Sequence, residues 1–216
     1  MINKINKIFQ DKNFICEKKD NSYSIHKRDL NQKYEYFIIR EVTSLDNIIE
    51  KQYEYLDLLK EHIKDKEVEK NSTLLVCFKT DTLPLLPELY KKILEIEENP
   101  YFFRKLVFPY TQNQLEQIND INDFEDIIKD TSKFEAFKDE CKKKDLSNSL
   151  YEVISQLYIK FPFLKLPVIG ETKNIILSKY KDSLQETESK VLAFIEEINI
   201  DEIIEVDDFF KKLEEI

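Results

Sequence analysis

Residues able to bind a metal ion or act as a nucleophile are few in this chain and far apart. The two histidines, His26 and His62, fit neither HxxxH nor HExxH, the spacings that put two ligands on one face of a helix. The cysteines Cys16, Cys77 and Cys141 form no CxxC pair, and Cys77 lies in an apolar run with no histidine after it. We therefore predict no metal site and interpret Cys77 as a core thiol.

Four charged residues suggest an alternative chemistry, that of a magnesium-dependent nuclease. Such an enzyme needs a carboxylate on one strand and a Glu-x-Lys type of pair on the next, which together hold Mg²⁺ and position water. Glu35, Glu41, Lys79 and Asp81 lie on or next to predicted strands. Cys77, however, stands where the pair would need its carboxylate, so a divergent nuclease is kept as an alternative hypothesis.

The composition argues against the common nucleotide-dependent enzymes. The chain contains a single glycine, Gly170, whereas a phosphate-binding loop needs several glycines so that backbone N–H groups can approach the phosphates. We therefore expect no cofactor and no ATPase, GTPase or dinucleotide-dependent activity. A net charge of -10 also argues against a general nucleic-acid binder, since phosphate recognition depends on an excess of lysine and arginine.

Aromatic side chains next to basic ones are the best candidates for contact with another molecule. Residues 101–105 read YFFRK, and residues 161–164 read FPFL. These aromatics either stack on bases or dock a partner, or they fill the junction between a helix and a strand; three in a row cannot all face one core. The predicted partner-binding residues are Tyr101, Phe102, Phe103, Arg104, Lys105, Phe161 and Phe163.

The first half of the chain carries the strand signals. A short helix after residue 2 and a strand around residues 13–16 precede two runs, 22–28 and 34–42, whose composition predicts an antiparallel hairpin. Thr43 or Ser44 is then expected to cap a helix whose apolar positions repeat every three or four residues from Leu45 to Ile63.

Residues 74–111 contain a strand, a helix and a second strand, and we expect the rest of the chain to pack around them. The apolar run 73–79 predicts a buried strand, Pro84 and Pro87 mark the start of a helix, and residues 106–108 predict a strand ended by Pro109. The unit is predicted to be the central βαβ connection of the sheet. The apolar positions of its helix should be Leu86, Leu89, Tyr90, Ile93 and Leu94, continued by Ile96 or Glu97.

Beyond residue 111 the pattern is helical, over residues 115–130, 132–144, 150–161 (capped by Ser147 or Asn148), 174–181, 184–199 and 207–216. The predicted fold class is therefore α+β, an N-terminal mixed β-sheet with helices packed on it, followed by a mostly α-helical C-terminal part. We predict an α/β sheet domain at 1–113 and a helical region at 114–216, with a soft boundary that also allows a single domain.

No stretch of the sequence has the pattern of a signal peptide or a membrane span. The first eight residues are interrupted by lysines, and no run approaches the ~20 apolar residues that a membrane helix needs. Sparse, unpaired cysteines are typical of a reducing compartment. We therefore expect a cytoplasmic protein with no membrane partner.

Residues 97–111 (EENPYFFRKLVFPYT), which follow a predicted strand and helix, resemble the middle component of bacterial ABC-three-component conflict systems. Residues 157–164 (LYIKFPFL) are similar to the second apolar block of that family. These systems overlap with the Lamassu type of anti-phage and anti-plasmid defence.

The resemblance implies a non-catalytic accessory subunit, not an enzyme, that acts beside an SMC- or Rad50-like ABC ATPase and a nuclease effector. The ATPase would sense unusual DNA, and the accessory chain would bind it and help to keep the effector inactive until it is triggered. Any DNA contact would be indirect, through the complex. An antitoxin-like protein binder, whose acidic surface mimics nucleic acid, is a further alternative.

Overall fold

The computed structural model describes residues 1–31, 33–119, 121 and 123–166. The sheet lies in the N-terminal half with helices packed on it, so the predicted α+β class is confirmed. In chain order the elements are α1 Ile2–Asp11, β1 Ile15–Lys19, β2 Tyr23–Leu30, β3 Lys33–Val42, α2 Gln52–His62, β4 Ser72–Lys79, α3 Pro87–Glu97, β5 Arg104–Tyr110, α4 Gln112–Asn119, α5 Phe124–Lys129, α6 Thr131–Lys143 and α7 Leu150–Lys160.

The strands form one mixed sheet in the order β1-β2-β3-β4-β5. β1, β2 and β3 pair antiparallel, with Tyr23 opposite Arg40 and Leu30 opposite Lys33, which confirms the predicted hairpin. β3, β4 and β5 run parallel, so α2 and α3 are both crossover connections. The prediction that residues 74–111 form the central unit is wrong, because β5 is an edge strand and β3 occupies the centre.

Both crossover helices cover the same face of the sheet. Consecutive parallel strands that advance in one direction place their connections on one side when the crossovers share a hand. β4 is buried along nearly its whole length, because its alternate side chains point into layers on opposite faces. The core on the crossover side includes Ile38, Leu74, Val76 and Val107 from the strands and Leu56, Leu59, Ile93 and Ile96 from the helices.

The opposite face is covered by α1 and by helices that follow β5. Aromatic rings are prominent in this core: Phe9 meets Phe37 at 4.9 Å and Phe161 at 5.5 Å between ring centroids, both edge to face. Ile118 of α4 and Leu157 of α7 belong to the same core. Each such ring pair adds about 0.5–1.5 kcal/mol beyond the burial of its area, so this face binds the later helices firmly to the sheet.

One buried polar group lies between α1 and β2. His26 is fully buried, and its Nε2 lies 2.9 Å from Asn6 Oδ1, which also accepts a hydrogen bond from Ser24 Oγ at 2.7 Å. With Asn6 Oδ1 as the acceptor, Nε2 must carry the proton of a neutral ring. Burial lowers the pKa of His26 to about 4, so the imidazole stays neutral at physiological pH.

The start of α2 differs from the prediction. The helix begins at Gln52, and residues 46–51 form turns, although Leu45 and Ile48 are buried in the core as their spacing suggested. Ser44 does not cap the helix; its Oγ instead accepts the N–H of Asp46 at 3.1 Å. Apolar spacing therefore identified the buried residues correctly but overestimated the length of the helix.

Two predicted boundaries in the second half are also wrong. α7 is capped by Ser149, whose Oγ accepts the N–H of Glu152 at 3.3 Å, and not by Ser147 or Asn148. Pro109 lies within β5 instead of ending it, which an edge strand tolerates because one side of its backbone needs no partner strand.

The described residues up to 166 belong to one compact unit. The predicted helices at 174–181, 184–199 and 207–216 lie outside the residues that the structure describes, and the domain boundary near residue 113 stays a prediction. None of the helices in the described ranges is long and apolar enough to cross a membrane.

Candidate partner-binding surface

A buried lysine organises the connection between α3 and β5. Lys105 is 1% exposed, and its Nζ donates to Asn99 Oδ1 at 3.0 Å, Tyr101 O at 2.6 Å and Phe103 O at 3.1 Å, with Asn99 O at 3.3 Å. Burial lowers the pKa of Lys105, but the surrounding acceptors favour its charged form and offset the loss of water. The lysine therefore holds residues 99–103 in one conformation.

Phe102 has a strained backbone within this connection. Its φ of 65° lies in the left-handed region, an outlier for a bulky residue that costs of order 1–3 kcal/mol. The ring packs on Tyr53 of α2 with 4.6 Å between centroids. Strain of this kind persists only where the surroundings impose it, and it is found most often at ligand clamps, switches and active sites.

The buried lysine and the strained residue together present a small exposed surface. Tyr101 is 65% exposed and Tyr53 is 64% exposed; Phe102 is half-buried between helix and solvent, and Arg104 is exposed. We call Tyr53, Tyr101, Phe102 and Arg104 the aromatic corner. Tyrosine and arginine are the residue types that contribute most often to binding energy at protein interfaces.

A second exposed apolar group lies on α3 and on the residue that precedes it. Leu86, Tyr90 and Leu94 follow one another at intervals of four residues, and all three are exposed, although the sequence predicted them on the buried face. Ile93 and Ile96 are buried against the sheet, and Leu89 is partly buried there, in agreement with the prediction. The helical period was therefore right, but the predicted buried face was too wide, because only its Leu89 and Ile93 side contacts the core.

The structure separates the seven predicted residues. Tyr101, Phe102 and Arg104 reach the surface, while Phe103 is buried in the core under α2 and α3 and Lys105 is the internal support described above. Phe161 is fully buried and Phe163 partly buried on the opposite face of the sheet. Their rings stack on each other at 5.4 Å and 5°, so they act in packing.

Sequence reasoning missed Tyr53. Its position in α2 lies outside the apolar repeat that predicted the buried face, between Gln52, which is buried, and Glu54, which is exposed. A tyrosine on the charged face of an amphipathic helix was the available signal, because a large ring left in water is more informative than a buried one.

Glu97 joins the two sequence blocks that carried the family resemblance. Its Oε1 accepts the N–H of Val107 on β5 at 2.6 Å and the Nζ of Lys160 at 2.6 Å, and Lys160 also reaches its Oε2 at 2.8 Å. Phe108 and Phe161 stack nearby at 6.4 Å. Residues 97–111 and 157–164 are therefore parts of one structure at the free edge of β5.

The fold brings only some of the four predicted nuclease residues close to one another. Glu41 and Lys79 line one cavity of about 470 Å³, but Glu35 lies six residues earlier on β3, roughly 20 Å away, and is paired with Arg28 at 2.6 Å. Burial raises the pKa of Cys77, which disfavours the reactive thiolate. Within the described ranges no three His, Cys, Asp or Glu side chains group around a possible metal position.

Comparison with known protein families shows to which family the chain belongs. The family described as ABC-three component (ABC-3C) system Middle Component 1 matches residues 22–137, more than half of the sequence. The chain belongs to this family. No curated protein and no solved structure matches it.

The matched range has a clear relation to the fold of this middle component. It begins next to β2 and ends inside α6, so it contains both crossover units and the whole aromatic corner. The block at 157–164, which also carried the resemblance, lies beyond the matched residues. As a middle component, the chain is an accessory subunit of a three-component ABC defence system and has partner components.

Proposed function

We propose that this middle component is a non-catalytic subunit that connects an SMC- or Rad50-like ABC ATPase to a nuclease effector and helps to keep the effector inactive until the ATPase senses DNA. In this proposal, the aromatic corner contacts the ATPase. Its action would then be anti-phage or anti-plasmid defence of the Lamassu type, in the cytoplasm. The family supports an accessory position, and the corner supplies a surface for it.

The construction of the corner is the observation that carries this proposal. A left-handed phenylalanine costs free energy in the isolated chain, yet Phe102 keeps this backbone and packs on Tyr53, while Tyr101 and Tyr53 remain in water. A surface that is preorganised in this way loses little conformational entropy on binding. The aromatic corner is therefore better explained as a surface that binds a partner subunit than as a solvated loop.

The charge distribution supports an indirect role of DNA. The chain carries 43 acidic and 33 basic residues, and of the four residues of the aromatic corner only Arg104 is charged. Affinity for DNA comes mainly from neutralising several phosphates with basic side chains. We therefore assign DNA sensing to the ATPase and protein contact to this chain.

Co-purification with the ATPase encoded beside it tests the proposal. The full chain and a tagged ATPase are co-expressed, and the complex is isolated by size-exclusion chromatography. We expect co-elution, and we expect Tyr53→Ala/Tyr101→Ala to weaken the complex at least tenfold, because loss of two interface tyrosines typically costs more than 1.4 kcal/mol.

A matched control is available on other elements. Ile15 and Ile159 are 65% and 66% exposed, so Ile15→Ala/Ile159→Ala removes a similar number of exposed apolar side chains away from the corner. This variant should co-elute like the unaltered chain. If the unaltered pair never co-elutes, or if both double variants weaken the complex equally, the aromatic corner is not the contact.

A further inference from the structure

A cavity of about 690 Å³ lies where β2, the start of β3 and the segment after α2 meet. None of the residues of the aromatic corner lines it. Its volume is in the range of sites that hold small molecules and cofactors, about 300–1,000 Å³. The cavity therefore has the capacity for a ligand, and its lining decides which class of ligand fits.

Lysine is the commonest residue in the lining. Lys27, Lys33, Lys64 and Lys66 all border the cavity, and within the described part of the chain the ammonium group of none of them takes part in an ion pair or hydrogen bond. Four unpaired ammonium groups around one concave space attract an anion, since low-dielectric walls concentrate their field.

Three carboxylates also line the cavity, but two of them have partners. Asp65 Oδ2 accepts the hydroxyl of Tyr36 at 2.7 Å, and this bond lowers the pKa of Asp65. Glu67 is paired with Lys70 at 2.9 Å, outside the set of lysines above. Glu17 is the third. The groups left to meet a ligand are therefore mainly cationic.

Two further side chains have the chemistry that a phosphorylated organic ligand would use. His62 borders the cavity, and its Nε2 is buried and has no hydrogen-bond partner among the described residues. Tyr34 also lines it and is 37% exposed, with the Nζ of Lys27 lying 3.9 Å from the centre of its ring. An imidazole and an exposed aromatic ring can bind a phosphate oxygen and a flat organic group respectively.

We propose that this cavity binds a ligand carrying two or more phosphate groups, of the size of a nucleotide, through Lys27, Lys33, Lys64 and Lys66. Such binding needs no glycine-rich loop, because side-chain ammonium groups and not backbone N–H groups contact the phosphates. The site is separate from the aromatic corner and does not depend on the proposed function. It would give the subunit a way to respond to a small phosphorylated molecule.

Isothermal titration calorimetry on the full chain, without added divalent cations, tests the proposal. The probes are ATP, inorganic tripolyphosphate and a ten-nucleotide single-stranded DNA. We expect one molecule of ATP or tripolyphosphate to bind per chain, and we expect Lys64→Glu/Lys66→Glu to weaken binding at least tenfold. Both lysines are exposed and unpaired, so the variant should fold, as circular dichroism would verify.

The control is Lys7→Glu/Lys51→Glu, which changes the net charge equally at exposed lysines outside the cavity and should bind within twofold of the unaltered chain. If the DNA binds more tightly than ATP and the cavity variant releases it, the cavity recognises nucleic acid and the proposal of a nucleotide-sized ligand is overturned. No binding of any probe at millimolar concentration, or equal weakening in both variants, overturns the proposal.

Discussion

Replacing Lys105 by methionine should unfold the aromatic corner before it affects the rest of the molecule. Methionine keeps most of the buried aliphatic volume but removes the ammonium group that contacts Asn99, Tyr101 and Phe103. The acceptors are then left without their donor, and the strained φ of Phe102 loses the contacts that impose it. The corner should relax although the sheet remains intact.

The magnitude follows from two opposing contributions. A hydrogen bond to a charged group contributes about 1.5–3 kcal/mol, and a buried acceptor left unsatisfied costs about 1–3 kcal/mol. Removing the ammonium also removes its desolvation penalty, which is several kcal/mol for a buried ion and which is reflected in the lowered pKa of Lys105. We expect a net loss of about 2–4 kcal/mol in the free energy of unfolding.

Urea denaturation and amide hydrogen exchange measure the two effects separately. With a slope of about 2 kcal/mol per molar urea, the midpoint should fall by roughly 1–2 M, and exchange should accelerate in residues 99–104. Lys7→Met, at an exposed lysine of α1, is the matched control and should change stability by less than about 0.5 kcal/mol.

Two results would refute this reasoning about Lys105. A midpoint equal to that of the unaltered chain would mean that the hydrogen bonds of the ammonium only balance its desolvation. A lowered midpoint with unchanged exchange in residues 99–104 would mean that Lys105 supports β5 in general and does not shape the corner.

Three further perturbations test other parts of the fold. For His26, the pKa of 6.5 in the unfolded chain exceeds the folded value of about 4. Its contribution to the free energy of unfolding is therefore complete above pH 6.5 and decreases by roughly 3 kcal/mol as the pH falls to 4. In urea titrations from pH 4 to 7, the free energy of unfolding of His26→Gln should depend less on pH than that of the unaltered chain. Glu97→Gln and Lys160→Met should each cost about 1–3 kcal/mol, and a double-mutant cycle should give about 1–2 kcal/mol of coupling, whereas zero coupling contradicts the ion pair. Phe161→Ala should cost about 3–5 kcal/mol in thermal or urea unfolding, and a value below 1 kcal/mol would contradict its place in the core.

Strands were easier to predict than helix ends because their signal lies in adjacent residues. The run at 73–79 became β4, whose residues are buried on both faces, and the hairpin followed from two runs with a short turn between them. The start of α2 was placed seven residues too early, because turns can bury Leu45 and Ile48 as well as a helix does. Apolar spacing reports burial, and burial is not specific to a helix.

The order of the strands in the sheet could not be predicted from local sequence patterns. Residues 74–111 were correctly predicted as a strand, helix and parallel strand, yet they lie at the edge. Their position depends on α2 acting as a second crossover, which puts β3 between β2 and β4. Only the pairing of distant strands shows this, since no local sequence signal records which strand a helix returns to.

The candidate surface shows what the sequence alone determined about this protein and what the tertiary structure decided. From sequence alone it followed that the aromatics at 101–103 exceed what one core can hold, and the middle-component family was named from residues around them. Which aromatic is exposed was decided by the fold: Phe103 enters the core, Tyr101 stays in water, and Lys105 turns inward. A basic residue is ordinarily expected in solvent, and only the carbonyl groups that converge on it from residues 99–103 make its burial favourable.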